Sequence, residues 1–208
     1  MTVQSTSDTL PAFATTLTQA ASAFRGEVQR PRASEVVSAL LQAEKAAKQQ
    51  RITYPLASLI GRWRLCFVTT ALVKEQAGIV KGRGWYVPKF LAKAHISFSN
   101  PAQTSVENPS AAEIGNQLEV GAVNLKLTGP AQYLDKKNIL AFDFTQMQFS
   151  VLARLIYSGK FGKSQAQAED FYRRPIANLA FFAFFIITDE FIAARGRGGG
   201  LALWIRDN

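Results

Sequence analysis

The 208-residue chain predicts a mainly β protein: an antiparallel barrel of about eight or nine short strands, with helices ahead of it. Three observations point there. Apolar and polar residues alternate with period two in one segment after another between residues 61 and 206. Glycine, proline, asparagine and aspartate turn signals recur at short spacing between those segments. Helical periodicity, by contrast, is confined to residues 13–50. With 48% hydrophobic and 19% charged residues the composition is that of a globular protein. Residues 1–33 read as a tail with a short helix, and residues 34–208 as the barrel domain with a leading helix.

In chain order, residues 1–12 show no strong periodicity, whereas Phe13, Leu17, Ala20, Ala21 and Phe24 recur at helical spacing. Ser34 is the expected N-cap of a second helix over residues 35–50, with Val36, Val37, Leu40, Leu41 and Ala47 on one face, which either docks on the barrel, the simpler reading, or lies on a membrane. Trp63, Leu65 and Phe67 then alternate with Arg62, Arg64 and Cys66, as in a strand with one buried face. Gly61 opens that strand, and the Trp63 indole suits a plug for the closed end of a small barrel, its N–H finding a partner. An arginine from a late strand, Arg195 or Arg206, is expected to stack on it.

Residues 81–90 mix glycine and cations with aromatics. Lys81, Arg83, Trp85, Tyr86 and Lys89 are therefore the expected surface for a lipid–water interface or an acidic partner. A strand follows around Ala94, Ile96 and Phe98, with His95 on its polar, solvent face, and residues 100–113 read as a loop. The parity of the apolar set switches between Leu118, Val120, Ala122 and Val123, Leu125, Leu127, which predicts a bulge near Gly121. Residues 135–138 make a hairpin turn before a strand carrying Leu140, Phe142 and Phe144, and a further strand carries Met147, Phe149 and Val151. Residues 158–168 read as a loop placed to cover a barrel mouth. Residues 179–187 are apolar on both parities and must be covered on both faces, one by the lumen and the other by a helix, a partner or lipid, the N-terminal helix being the economical cover. Residues 195–200 form a Gly-rich hairpin turn, since the strands on both sides deny it the helix N-terminus of a phosphate cradle.

The chain has one histidine and one cysteine, poor material for a metal site or a nucleophilic centre. No catalytic residue, metal or cofactor is assigned, and Cys66 is expected to be an inert, packed thiol. The net charge of +9 attracts polyanions, nucleic acid or an anionic membrane surface alike, and charge alone does not choose between them; the partner expected is the membrane surface and not nucleic acid. The longest apolar run, residues 179–187, is well short of the ~20 residues of a spanning helix.

Residues 59–70, Leu-Ile-Gly-Arg-Trp-Arg-Leu-Cys-Phe-Val-Thr-Thr, resemble the first strand of the plastid lipid-associated protein (fibrillin) family, with Ile60 where an asparagine is usual and Phe67 where a tyrosine is usual. Asp189, Glu190 and the run Arg195, Gly196, Arg197, Gly198, Gly199 resemble the family's closing strand pair. The resemblance implies a lipocalin-like (calycin) barrel in a lipid-associated, non-enzymatic protein. Its ligand would be an isoprenoid, carotenoid or quinone, bound near Trp63, Leu65, Phe67, Phe142, Phe144, Asp189 and Arg195. It further implies a thylakoid-associated or cytoplasmic place in a cyanobacterium, or a plastid stromal or plastoglobule one, with a photosynthetic protein as a further partner. A scaffold whose barrel is filled by its own side chains, a bilin-lyase-like enzyme and a nucleic-acid binder are the alternatives.

Overall fold

The computed structural model describes residues 11–76, 79–89, 92–101, 110–161 and 168–207. Two helices come first, α1 (Ala12–Arg25) and α2 (Ala33–Gln50). The first strands are β1 (Gly61–Thr69), the short β2 (Lys74–Gln76), β3 (Ile79–Lys81) and β4 (Gly84–Tyr86), then β5 (Lys93–Ser99) and β6 (Ala111–Val120). β7 (Val123–Leu134), β8 (Ile139–Phe142), β9 (Gln146–Val151) and β10 (Arg154–Lys160) follow. A short α3 (Ala168–Arg173) precedes β11 (Ala180–Ile187), β12 (Phe191–Gly196) and β13 (Leu201–Arg206).

Eight of these strands close a ring in the order β7, β6, β5, β1, β13, β12, β11, β8 and back to β7, every pair antiparallel. Closure comes from a division of labour along β7. Its C-terminal half, residues 131–134, pairs with β8, while residues 123–128 pair with β9. The chain jogs at residues 143–145 opposite Gly129, where a Cβ would sit 2.0 Å from the carbonyl oxygen of Asp143. Past the jog β9 pairs with β10 instead of β11, so β6, β7, β9 and β10 run on as a four-stranded extension above one end of the barrel.

One hydrophobic cluster fills the barrel, from Leu59, Trp63, Phe98 and Ile114 to Leu140, Phe184, Ile192 and Trp204. A second lies outside it, where α1 and α2 bury Leu17, Phe24, Val37 and Leu40 against Cys66, Phe67, Phe185, Phe191, Leu201 and Leu203. The docked helices and the double-sided cover of β11 agree with expectation: Phe182 and Phe184 face the lumen, Phe185 faces the helix layer, and Phe181 packs with Phe171 near α3. α2 begins at Ala33, two residues earlier than expected and with Arg32 rather than Ser34 at the N-cap position, because the Glu35 carboxylate accepts a hydrogen bond from the Arg32 N–H at 2.8 Å and caps the end itself.

Several local expectations are corrected. The parity switch near Gly121 is a two-residue hairpin turn, with Gly121 at φ 56°, and not a bulge, since Val120 pairs directly with Val123. Residues 111–113 belong to β6 and residues 158–160 to β10, because both edges find a strand to pair with. The remainder of those two loop assignments, at 102–109 and 162–167, lies outside the described residues, as do residues 1–10 and Phe90.

Candidate functional site

The floor of the barrel is built on β1. Trp63 is wholly buried, its indole N–H donates to the Leu59 carbonyl at 2.8 Å, and the Arg206 guanidinium lies 4.0 Å from its ring centroid. Arg206 in turn donates to the carbonyls of Asp189 (2.8 Å) and Ile60 (3.2 Å). Gly61, at φ 132°, makes this possible: a Cβ there would come within 2.6 Å of the Arg206 guanidinium. Beside the floor, buried Asn138 ties the α2–β1 linker to the barrel, accepting from the Tyr54 N–H at 2.9 Å and donating to the Ile52 carbonyl at 2.6 Å.

From the floor a column of aromatic rings climbs to the opposite end. Phe98 meets Phe184 edge-on at 5.9 Å, Phe182 meets Trp204 at 5.5 Å and stacks on Phe142 at 5.1 Å, and Phe144 lies 5.3 Å beyond Phe142. Leu65, Phe144, Phe182 and Ala202 are only partly buried, which marks the mouth. The lumen side continues into the extension, because Leu118, Leu125 and Phe149 lie at the same strand parity as Ala112, Ile114, Ala131 and Tyr133 below them. Three rows of register partners cross it: Asn116, Leu127, Met147 and Gly159, then Leu118, Leu125, Phe149 and Tyr157, then Val120, Val123, Val151 and Arg154. Leu118, Val120, Val123 and Tyr157 remain exposed. The other face is polar apart from exposed Leu155 opposite Ser150, with Gln117 donating to Glu119 at 2.8 Å and reaching Asn124 at 3.3 Å.

The residues expected to bind ligand therefore separate. Trp63, Leu65, Phe142 and Phe144 face the interior. Phe67 does not: the register of β1 against β13 slips between Leu65 and Phe67, so Cys66 is an extra residue, and it and Phe67 both pack under the helices. Arg195 also points away from the lumen. Its guanidinium makes a two-pronged ion pair with Glu44 of α2, at 2.6 and 2.9 Å, and also donates to the carbonyls of Val73 and Gly199. Burial pushes the Glu44 carboxyl up, but the Arg195 and Lys48 donors outweigh it and hold it below the usual carboxylate value. Asp189 sits exposed in the β11–β12 turn, at the far end of β12 from Arg195, so the two cannot pair.

The basic aromatic segment is split in the same way. Tyr86 packs edge-on against Phe67, donates to the Pro31 carbonyl at 3.2 Å and lies under Arg30, while Lys89 lies over Phe24. These two belong to the helix interface. Lys81, Arg83 and Trp85 are exposed, and Trp85 pairs with Val68, itself opposite Ala202, which sets its indole on the lumen side of the rim.

His95, expected at the surface, is 6% exposed. Its Nε2–H donates to the Asp207 carboxylate at 3.1 Å and its Nδ1 accepts from Arg62 at 3.2 Å, an arrangement that fits the neutral ring. Burial, then the Arg62 charge, lowers its pKa, and Asp207 only partly opposes them. Cys66 is fully buried, and desolvation raises its thiol to about 12, as expected for a packed, inert group. Among the described residues no three His, Cys, Asp or Glu side chains gather as a metal site, and no helix is long and apolar enough to cross a membrane. The grooves of about 540 and 290 Å³ beside α2 are lined chiefly by charged and polar residues such as Glu44, Lys48, Lys74, Arg51 and Lys137. Among the described residues the exposed large apolar side chains, Val28 apart, gather at the mouth and on the extension.

No family model matches the chain, and no curated protein matches it.

The extension was not legible beforehand. Its signal was present in the alternation of residues 118–127 and 147–151, but β10, where Leu155, Ile156 and Tyr157 are consecutive, shows no period of two.

Proposed function

We propose that the protein is a non-enzymatic, lipid-associated binder of one elongated apolar molecule, held across the barrel mouth and along the inner face of the extension. One observation carries this reading: the apolar lining does not stop where the barrel stops. Phe144, Phe182 and Leu65 at the mouth lead into Leu118, Leu125, Phe149 and Tyr157 through a row of Asn116, Leu127 and Met147 in which Asn116 is the one polar side chain, and the described part of the chain leaves that surface half open to solvent. Covering it contributes ~25 cal/mol for each Å² of apolar area removed from water. A flat, long hydrocarbon matches a sheet face better than a compact one does. The likeness of residues 59–70 and 189–204 to the plastid lipid-associated proteins supports an isoprenoid, carotenoid or quinone as the class.

Extraction of the purified protein with organic solvent, followed by mass spectrometry, is expected to release such a lipid. Titration with decyl-plastoquinone is expected to quench tryptophan emission saturably at one equivalent, with Trp85 and Trp204 nearest the bound molecule. Phe182→Asp should abolish the quenching and Arg195→Lys should leave it intact. Absence of both a co-purifying lipid and saturable quenching would overturn the proposal. One observation favours a second reading: the lower lumen is filled by Trp63, Phe98, Ile114, Leu140 and Ile192, all under 2% exposed. That packing suits a self-filled scaffold or assembly factor of a photosynthetic or lipid-biosynthetic complex, and it is the reading a negative titration would leave standing.

A further inference from the structure

The far edge of the extension is formed by two hairpin turns lying side by side, Gly121 and Ala122 between β6 and β7, and Leu152 and Ala153 between β9 and β10. They are joined by a hydrogen bond from the Leu152 N–H to the Ala122 carbonyl at 2.9 Å. Val120, Val123 and Val151 form the row behind them. Leu152 and Ala153 both have positive φ, 50° and 61°. A two-residue turn of this kind is the place for Asn-Gly, because a Cβ is strained there. Here it holds a leucine that is 74% exposed and so gains no burial within the fold to offset the strain. Leu72, at φ 59° and 77% exposed, repeats the combination in the β1–β2 turn at the same end of the barrel. A sequence that breaks a local rule twice, each time to present a bare leucine, is complementary to an apolar medium outside the molecule.

Charge identifies the medium. The extension carries Lys126, Arg154 and Lys160 against one carboxylate, Glu119, which Lys93 approaches to 3.9 Å, and Lys81 and Arg83 flank exposed Trp85 on the rim. A second copy of the chain is the poorer occupant. β10 is an edge strand, but antiparallel self-pairing about Tyr157 would set Arg154 opposite Lys160 of the other copy, like charge against like charge.

We propose that the mouth end of the barrel docks on an anionic phospholipid bilayer, with the paired hairpin tips, Leu152 foremost, entering the headgroup region between flanking cations. Docking does not require cargo in the lumen; where both hold, the apolar inner face joins bilayer to mouth.

The test is vesicle co-sedimentation of the full chain, with phosphatidylcholine alone and with phosphatidylglycerol added, at low and high salt. Binding is expected only to the anionic vesicles and is expected to weaken with salt. The double variant Leu152→Asn, Ala153→Gly should raise the melting temperature by relieving the turn and yet lower vesicle binding about tenfold, the partition lost with one leucine side chain. Leu152→Trp should show a blue-shifted emission on anionic vesicles. Phe182→Asp, which disables the mouth, should bind vesicles as the native chain does, so failure of the cargo reading and failure of docking are separate results. Unchanged vesicle binding by the double variant, or no shift from Leu152→Trp while the protein co-sediments, would overturn the proposal. So would a concentration-dependent dimer abolished by Ile156→Lys, which would make β10 a self-interface.

Discussion

The floor of the barrel and the extension above its mouth share strands β6 and β7 and the same alternation of apolar and polar residues, yet they end in opposite conditions. At the floor the inward side chains converge: Trp63, Ile114, Leu140 and Ile192 are wholly buried, and Arg206 caps the indole. In the extension Leu118, Val120 and Val123, on the same inward parity, stay 38–47% exposed. The difference lies in hydrogen bonding rather than in hydrophobicity. Below the jog at residues 143–145 the β8 edge finds β11 and the sheet closes on itself, whereas above it β9 finds β10 and the sheet stays open. An amphipathic strand is thus core or contact surface according to which edge its neighbour completes.

The contrast can be broken most forcefully at the floor. Trp63→Ala leaves a ring-sized cavity and removes the ring on which the Arg206 guanidinium stacks, and is expected to cost about 3–5 kcal/mol in urea unfolding. A loss under about 1 kcal/mol would mean that the floor is not the closed end. In the extension, Leu125→Ser removes a half-buried contact and should cost less than about 1 kcal/mol in the same measurement, while weakening the saturable quenching by decyl-plastoquinone. If it destabilises as much as the floor variant, the inner face is core after all.

The smallest effect is that of pH on β5, the neighbour of the shared strand β6. His95 of β5 has a pKa lowered below its ordinary 6.5 by burial and by Arg62. The unfolded chain therefore binds more protons than the native one in this range. The His95 contribution is complete above about pH 6.5 and is lost as the pH falls below that through the native value. Urea midpoints measured downward from pH 7.5 should decline less for His95→Gln than for the native chain; parallel curves would remove the histidine from the account.

Much of the barrel was legible because its determinants are local. Gly61, Trp63 and the polar turns around Asn138 and Gly199 fix where strands start and stop, and the double-sided apolarity of β11 demanded cover on both faces. The site was legible only in part. Trp63, Leu65, Phe142 and Phe144 follow an unbroken period of two into the lumen, but one extra residue at Cys66 turns Phe67 outward, and nothing in the alternation of residues 61–69 announces it. His95 sits on a polar parity and is buried all the same, because Arg62 and Asp207, over a hundred positions apart in the chain, close over it.

By itself, then, the sequence determined a helix-led antiparallel barrel plugged by a tryptophan, since turns, caps and alternation act between residues a few positions apart. Only the tertiary structure decided that Arg206 and not Arg195 covers that tryptophan, that Arg195 anchors α2 instead, and that four strands outrun the barrel with an apolar face uncovered. Those outcomes depend on register and on which edges meet. Both are set by contacts between distant parts of the chain, and a slip of one residue reverses them.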